Sequence, residues 1–398
     1  VCPEDFEMAE VCLEARRSMV RRGKMPPSAH EFALRDMAFA NGEHCALARH
    51  APDTHASDYA FFPGCQLTAS DPDAAARAYA DLRERLGAVG LLLRCCAAPA
   101  RWAGREDLAA QEAEALTADW EALGRPKLIA ACPTCAGMLA RTLPEAEVQT
   151  HWSVLHALGP PEGAKAPAAP LAVNDPCAAR HEPVMRADVR ALLEAVGTDT
   201  VEPRLGGELT QCCGFGGLLS EADPDLAETV REDRANAADE DFVTYCAMCR
   251  DMIAKTGKRS LHVYDLLYPS GEDDPGMRPA PGYSERRENR ARLRERLLRE
   301  LWGEADDAPR PEHEAVAVRF TDEAAQRMER RRILVGDVQK VLLSAERTGK
   351  RFANADTGRL LACHRPVSVT YWVEYEPDGE GYVVHNAWSH RMRVKEVS

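Results

Sequence analysis

The sequence lacks the features of several classes of protein. No run of apolar residues approaches the roughly 20 that a transmembrane helix needs, and aromatic residues make up only 6% of the chain. Basic residues are outnumbered, with 50 Lys and Arg against 64 Asp and Glu, which argues against general nucleic-acid binding. The opening stretch Val1-Cys2-Pro3-Glu4-Asp5 has no basic segment followed by an apolar one. We therefore expect a cytoplasmic protein, peripheral to a membrane only through a partner.

Cysteine, in contrast, is abundant, with fourteen residues in the chain. In a cytosolic protein, cysteines at this number indicate metal ligands or redox centres rather than disulfides, because cellular thiol buffers keep thiols reduced. Ten of them form two copies of one pattern, namely a single Cys, a Cys-Cys pair and a Cys-x-x-Cys. The ten are Cys65, Cys95, Cys96, Cys132, Cys135, Cys177, Cys212, Cys213, Cys246 and Cys249.

The two copies align at a nearly constant offset. Cys65 corresponds to Cys177 at 112 residues, Cys95-Cys96 to Cys212-Cys213 at 117, and the Cys-x-x-Cys motifs at 132 and 246 are 114 residues apart. Three landmarks with this spacing predict two tandem domains of one fold, each with five thiols.

Short apolar runs precede most of these cysteines and predict buried strands. They are Tyr59–Phe62, Leu91–Leu93, Leu128–Ala131, Leu171–Val173 and Phe242–Tyr245. Segments of helical period lie between them, as at 73–86, 106–123, 184–196 and 226–238. The fold class predicted from this alternation is α/β, with two tandem Rossmann-like domains. Ligands bind outside the carboxyl ends of such strands, so the cysteines are expected to converge on one crevice in each domain.

Three kinds of site compete for each set of five thiols. A structural zinc site needs four ligands, usually from two Cys-x-x-Cys motifs, whereas each copy has one such motif and an adjacent pair. A thioredoxin-like dithiol would use Cys-x-x-Cys alone and leave three thiols unexplained. An iron–sulfur cluster accommodates five thiolates and is favoured.

The pattern Cys-x(29)-Cys-Cys with Cys-x(35)-Cys-x-x-Cys, repeated in the second copy, resembles the tandem CCG cysteine-rich domain of heterodisulfide reductase B and D subunits. The stretches Gln211–Gly217 and Tyr245–Asp251 are similar to the second motif of that family. The resemblance covers about residues 58–268. It has one departure, since Ala97 follows the first Cys-Cys pair where the family has glycine.

The resemblance implies that each copy holds a noncubane [4Fe–4S] cluster through all five of its cysteines, giving two clusters in the chain. It implies that the clusters flank a bound disulfide and split it in one-electron steps. Zinc in place of one cluster stays an alternative, the first copy being the less certain. The catalytic residues that it implies are those of the second copy: Cys177, Cys212, Cys213, Cys246 and Cys249. The implied partners are a ferredoxin-like or flavoprotein redox subunit and a small disulfide or thiol substrate.

The remaining cysteines carry less information. Cys2-Pro3 resembles the last cysteine of a bacterial ferredoxin module, which makes Cys2 a candidate ligand of a [4Fe–4S] cluster whose other ligands would precede Val1. The chain is then a fragment of a longer polypeptide. Cys12 and Cys45 are interpreted as small buried apolar residues, and Cys363 as structural.

Histidines near the cysteines are possible proton donors. His156, His181 and His262 are candidates, because an imidazole beside a cluster can protonate a leaving thiolate. For each, a helix-end or core role with a satisfied hydrogen bond is the favoured interpretation. His181, four residues after Cys177, is the one retained as a catalytic candidate.

The chain changes character after about residue 268. Residues 269–312 are interpreted as a linker with a charged helix over 285–304, and residues 313–398 as a small α+β domain of order α-α-β-β-β. This domain weakly resembles the RelE-like toxin superfamily and the related DUF4258-type domains. Its Arg330-Arg331-Arg332 run is interpreted as a solvated helix face. Docking to a redox partner is preferred over nuclease activity.

Together these features predict an iron–sulfur oxidoreductase subunit. Its predicted segments are 1–57 (end of a ferredoxin-like module and helical lead-in), 58–165 and 166–268 (CCG domains), 269–312 and 313–398. No Gly-x-Gly-x-x-Gly follows a predicted strand, so no nicotinamide or flavin site is expected in this chain. One alternative is an electron-transfer subunit of a 2-hydroxy-acid or glycerol-3-phosphate dehydrogenase complex that passes electrons to quinone. Another is a zinc-holding scaffold with a nucleic-acid-binding tail.

Overall fold

The computed structural model describes residues 8–271, 274–306 and 308–392. Within these residues the chain divides into two compact units. The first comprises the residues up to Pro281 together with Arg286–Asp306, and the second comprises Gly282–Glu285 with the residues from 308 onward. Among all the residues that the structure describes, no helix is long and apolar enough to cross a membrane.

The first sheet has parallel strands at its centre. Its order is β1-β3-β2-β4-β5, and only β1 runs antiparallel to its neighbour. The strands are β1 Leu47–Arg49, β2 Tyr59–Phe62, β3 Val89–Leu93, β4 Lys127–Ala130 and β5 Val148–Thr150. The helices of this part are α1 Met8–Arg21, α2 Glu31–Ala40, α3 Cys65–Ser70, α4 Pro72–Leu86, α5 Ala98–Trp102, α6 Glu106–Ala122, α7 Pro133–Thr142 and α8 His151–Leu158.

The second sheet repeats the parallel arrangement with four strands instead of five. Its order is β7-β6-β8-β9, and all of its strands are parallel. The strands are β6 Leu171–Asn174, β7 Thr200–Val201, β8 Asp241–Thr244 and β9 Ser260–His262. The helices are α9 Pro183–Val196, α10 Leu219–Ala222, α11 Pro224–Ala235, α12 Ala247–Ala254, α13 Val263–Leu267 and α14 Tyr283–Leu297.

Local sequence accounts for where several helices begin and end. Helices α4 and α11 both begin at an Asp-Pro pair, in which Asp71 or Asp223 caps the helix and proline is its first residue. This arrangement satisfies a free N–H group and presets the backbone angle. Helix α4 ends at Gly87, whose φ of +81° is unfavourable for other residues.

The two sheets share one hydrophobic core. Trp152 of α8, fully buried, contacts Tyr245 at the end of β8 with ring centroids 6.0 Å apart and Tyr264 of α13 at 5.4 Å. Leu293 and Leu297 of α14 are buried in the same core. The predicted α/β class with two tandem domains is confirmed, and the domains are packed together rather than separate.

The second unit contains a mostly antiparallel sheet of order β10-β14-β13-β12-β11. Its strands are β10 Val318–Phe320, β11 Phe352–Ala353, β12 Leu360–His364, β13 Thr370–Asp378 and β14 Gly381–His390, with helices α15 Asp322–Arg331 and α16 Val335–Thr348. The predicted helices and the last three strands are confirmed. The order α-α-β-β-β omits β10, which pairs in parallel with β14, and the two-residue β11, which pairs with β12. Strands this short carry too little alternation to be read from sequence.

Candidate functional site

The cysteines of the first copy lie at the carboxyl edge of three neighbouring strands. Cys65 begins α3 just after β2, Cys95-Cys96 follow β3, and Cys132 precedes α7 just after β4. Because β3, β2 and β4 are adjacent and parallel, their ends bring these residues together. The predicted convergence on one edge is confirmed for this copy.

The second copy reaches the same arrangement by a different route. Cys177 follows β6 and Cys246 follows β8, but Cys212-Cys213 come about ten residues after β7, in a loop. Asp175 stabilises this loop through two hydrogen bonds. Its backbone carbonyl accepts one from the Thr210 hydroxyl at 2.6 Å, and its carboxylate accepts one from the N–H of Gly207 at 3.1 Å. A residue two positions before the first ligand therefore positions the Cys-Cys pair.

Thiol contacts follow the same order in both copies. In the first copy they link Cys65, Cys95, Cys96, Cys135 and Cys132 in that order. In the second copy they link Cys177, Cys212, Cys213, Cys249 and Cys246. The sulfur atoms of Cys213 and Cys249 are 3.4 Å apart. We call these groups the first and second thiol sets.

The two thiol sets also approach each other. The thiols of Cys132 and Cys246, the first residues of the two Cys-x-x-Cys motifs, lie close enough for each to shift the pKa of the other. The ten cysteines therefore make one continuous array whose two ends are Cys65 and Cys177. The sequence predicts ten ligands in two sets but gives no sign that the sets approach each other, because the approach is between two different sheets.

Hydrogen bonding favours ionisation of particular thiols. Thiol donors at Cys177 and Cys213, with the backbone N–H of Gly214 at 3.3 Å, hold the pKa of Cys212 far below its usual value. Cys135 and Cys95 lower the pKa of Cys96 to about 6. Each set thus contains a thiol that is readily converted to the thiolate, which is the metal-binding form.

The ends of the array differ in exposure. Cys177 is exposed, whereas Cys65 is partly buried against α2. Met37 and Ala40 of that helix pack in one apolar cluster with Cys95. Small molecules therefore reach the second thiol set more readily than the first.

Two glycines permit close approach at the array. A Cβ at Gly64 would lie 3.0 Å from the sulfur of Cys135, and one at Gly214 would lie 2.5 Å from the carbonyl oxygen of Ala227. Ala97, which replaces glycine in the first copy, adopts the left-handed conformation with φ +62°. The first copy therefore keeps the same turn at a conformational cost that the second avoids.

Residues outside the two repeats complete the site. Asn41 accepts the backbone N–H of Cys95 at 2.7 Å, and Arg290 of α14 donates to the carbonyl of Cys65 at 2.8 Å while pairing with Asp36. Sequence reasoning missed all three residues. The only signal was a helical spacing of charges in α14, which is more typical of a solvated surface.

The predicted histidines lie in different surroundings. His181 is exposed in the turn between Cys177 and α9, and its catalytic role stays a prediction. His156 is half-exposed and pairs with Asp188 at 2.8 Å. His262 caps α13, and burial lowers its pKa to about 3, so it is a neutral hydrogen-bonding residue.

The other cysteines are dispersed. Cys2 lies outside the described residues. Cys45 is buried, as predicted, but Cys12 on α1 and Cys363 on β12 are exposed. The interpretation of Cys12 as a buried apolar residue is therefore wrong, because it lies on the outer face of an amphipathic helix.

The donor set can now be compared with the group that it would hold. Within the part of the chain that the structure describes, no three His, Cys, Asp or Glu side chains surround a single ion position. The thiols instead touch in pairs along the array. Five sulfur donors in each set exceed the four that a structural zinc ion takes. Thiolate ligands in this number fit an iron–sulfur cluster.

Comparison with known families identifies these domains. The family model described as CCG, cysteine-rich domain, matches the chain twice, at residues 59–140 and 171–254. No curated protein matches the chain. The chain thus carries two tandem CCG cysteine-rich domains, a domain of iron–sulfur and metal-binding proteins of the oxidoreductase type. The predicted family is confirmed at the level of the domain.

Proposed function

We propose that the chain is an iron–sulfur oxidoreductase subunit that reduces a disulfide or a related sulfur substrate, as heterodisulfide reductase B and D subunits do. The observation that carries this proposal is the continuous ten-thiol array with one exposed end at Cys177. A disulfide takes up two electrons, and two adjacent centres can deliver them one at a time.

The chain's own residues have distinct roles in this proposal. Ten cysteines hold the two centres, noncubane [4Fe–4S] clusters by resemblance, and such clusters supply one-electron transfers when bound. Cys177, Cys212, Cys213, Cys246 and Cys249 form the side that meets the substrate. In this proposal His181, which is exposed and lies four residues after Cys177, donates a proton to the thiolate that leaves. Electrons enter from a ferredoxin-like or flavoprotein partner.

Anaerobic reconstitution tests the metal content. Two [4Fe–4S] clusters require about eight irons per chain, with an electron paramagnetic resonance signal after partial oxidation or reduction. Bound zinc with less than one iron per chain would refute the proposal and favour the zinc-holding scaffold.

Turnover tests the reaction. The loaded protein should reduce a small disulfide with reduced viologen as the artificial donor. Cys177→Ser should lose at least tenfold in rate and change the paramagnetic signal. Cys363→Ser, which alters an exposed thiol of the second unit, serves as the matched control and should change neither.

The second candidate function is electron relay alone, in a 2-hydroxy-acid or glycerol-3-phosphate dehydrogenase complex. The proximity of Cys132 and Cys246 favours electron relay as much as disulfide reduction, because it provides a path for electrons between the two thiol sets. A relay would hold the same iron and pass electrons from the donor to a quinone analogue without reducing disulfide. The two functions therefore differ in acceptor and not in metal content.

A further inference from the structure

Arg234 of α11 is a fully buried arginine whose partner Asn174 also donates to Thr244, two residues before Cys246 of the second thiol set. Its Nε donates to the side-chain oxygen of Asn174 at 2.6 Å, and its Nη1 donates to the backbone carbonyls of Arg204 and Leu205 at 3.2 Å. The guanidinium also lies 5.6 Å from the centre of the Phe242 ring. These contacts fix the side chain in one orientation.

The hydrogen-bond partners of this guanidinium are all neutral. Its Nη2 atom is buried and has no hydrogen-bond partner among the described residues. Asp175 acts on it electrostatically, but the oxygens of that carboxylate bond to Arg190, to the Tyr245 hydroxyl and to the backbone of Gly207. A buried charge with neutral partners is costly unless an anion lies nearby.

The second thiol set is a source of negative charge that acts on Arg234. Burial lowers the pKa of Arg234, and the charges of Cys249 and Cys213, like that of Asp175, oppose this shift by stabilising the charged form. These two thiols contact each other at 3.4 Å. If they are thiolates bound to a metal centre, the centre supplies the anion that Arg234 lacks.

We propose that Arg234 is the positioning residue that neutralises the negative charge of the metal–thiolate centre at the second thiol set. Its Nη2 has no hydrogen-bond partner among the described residues, so its N–H donors are available to that centre. This inference rests on the proposed metal centre but not on the identity of the substrate. It assigns a role to an arginine that no motif of the repeat contains.

The proposal also gives the two centres different electrostatics. At the first thiol set, the nearby Arg290 is paired with Asp36 through both carboxylate oxygens, so its charge is largely cancelled. Arg234 has no such carboxylate bonded to it among the described residues. A positive charge that is not cancelled favours the reduced form of the neighbouring centre, so the second centre should have the higher reduction potential. Electrons would then move from the first set to the second set, in which Cys177 is exposed.

The test compares three full-length variants after anaerobic reconstitution. Arg234→Met removes the charge at similar length, Arg234→Lys retains the charge without the forked donors, and Arg204→Met is the control. Arg204 is an exposed neighbour whose side chain pairs with Asp233 at 3.0 Å. The measurements are the rate of iron release to a chelator and the midpoint potential of each centre in a paramagnetic resonance titration.

Arg234→Met should release the iron of the second centre at least tenfold faster. It should lower the midpoint potential of that centre by at least the 59 mV that corresponds to tenfold in a one-electron equilibrium. Arg234→Lys should restore most of the potential, and Arg204→Met should leave both quantities unchanged. The first centre should keep its potential in all three variants.

Equal effects of Arg234→Met and Arg204→Met would overturn the proposal, as would a lowered potential that lysine does not restore. If Arg234→Met does not fold, Arg234→Gln takes its place with the same expected shift. Failure of the proposed function is seen separately, in wild-type protein without iron. If zinc is bound instead, its release rate from the variants still tests the role of Arg234.

Discussion

Replacing Gly214 by alanine separates the two reasons for a glycine after the second Cys-Cys pair. The backbone there has φ +84°, and a Cβ would lie 2.5 Å from the carbonyl oxygen of Ala227. The left-handed conformation costs a residue with a side chain about 1–2 kcal/mol. Displacing a backbone oxygen adds about 1–3 kcal/mol. Loss of glycine's freedom in the unfolded chain offsets about 0.4–1 kcal/mol of this cost.

The balance predicts that Gly214→Ala lowers the free energy of unfolding by about 1.5–4 kcal/mol. Gly217→Ala is the matched control, because Gly217 has φ +65° and a Cβ at this position would have none of the described atoms within 4 Å. Its expected cost is about 0.5–1 kcal/mol, from conformation alone. Urea unfolding of the full chain, with all variants prepared identically, provides both values.

Ala97→Gly gives the reverse test in the first copy. Ala97 already bears the cost of its left-handed backbone, so glycine there should change stability by less than about 1 kcal/mol. Equal midpoints for the Gly214 and Gly217 variants would refute the contact argument. A large loss for Ala97→Gly would refute the argument from backbone conformation.

Two further predictions concern the shared core. Trp152→Ala should cost about 3–5 kcal/mol, because this fully buried ring contacts both repeats, and the thermal midpoint of the full chain measures it. A loss below about 1 kcal/mol would contradict a common core. Burial lowers the pKa of His262 to about 3, whereas the pKa of histidine in the unfolded chain is about 6.5. Its stabilising contribution is complete above about pH 6.5 and falls by up to about 1.4 kcal/mol per pH unit as the pH drops toward about 3. His262→Asn, which keeps a capping side chain without the imidazole, should show a flatter pH dependence of the urea midpoint, and an unchanged slope would contradict it.

The covalent order of the chain was sufficient to predict several features. The repeat of Cys65, Cys95-Cys96 and Cys132 in the second copy predicted tandem domains, because spacing is a property of the sequence itself. Apolar runs ending at these cysteines placed them after strands. Strand and helix periods are local, and parallel strands necessarily share one carboxyl edge.

Other features of the site depend on residues far apart in the chain. Arg290 reaches Cys65 across 225 positions, and Asn41 reaches Cys95 across 54. No local period marks such residues, since a buried arginine and a solvated one look alike in sequence. Their roles follow only from which surfaces pack together.

The sequence by itself determined the fold class, the tandem repeat and the ten thiols, because each follows from spacing and local hydrophobic pattern. Tertiary structure alone decided that Cys132 and Cys246 lie close together, that Cys177 is the exposed end, and that Arg234 is buried without a carboxylate bonded to it among the described residues. The physical reason is that contact, exposure and charge balance arise from the packing of one domain on another.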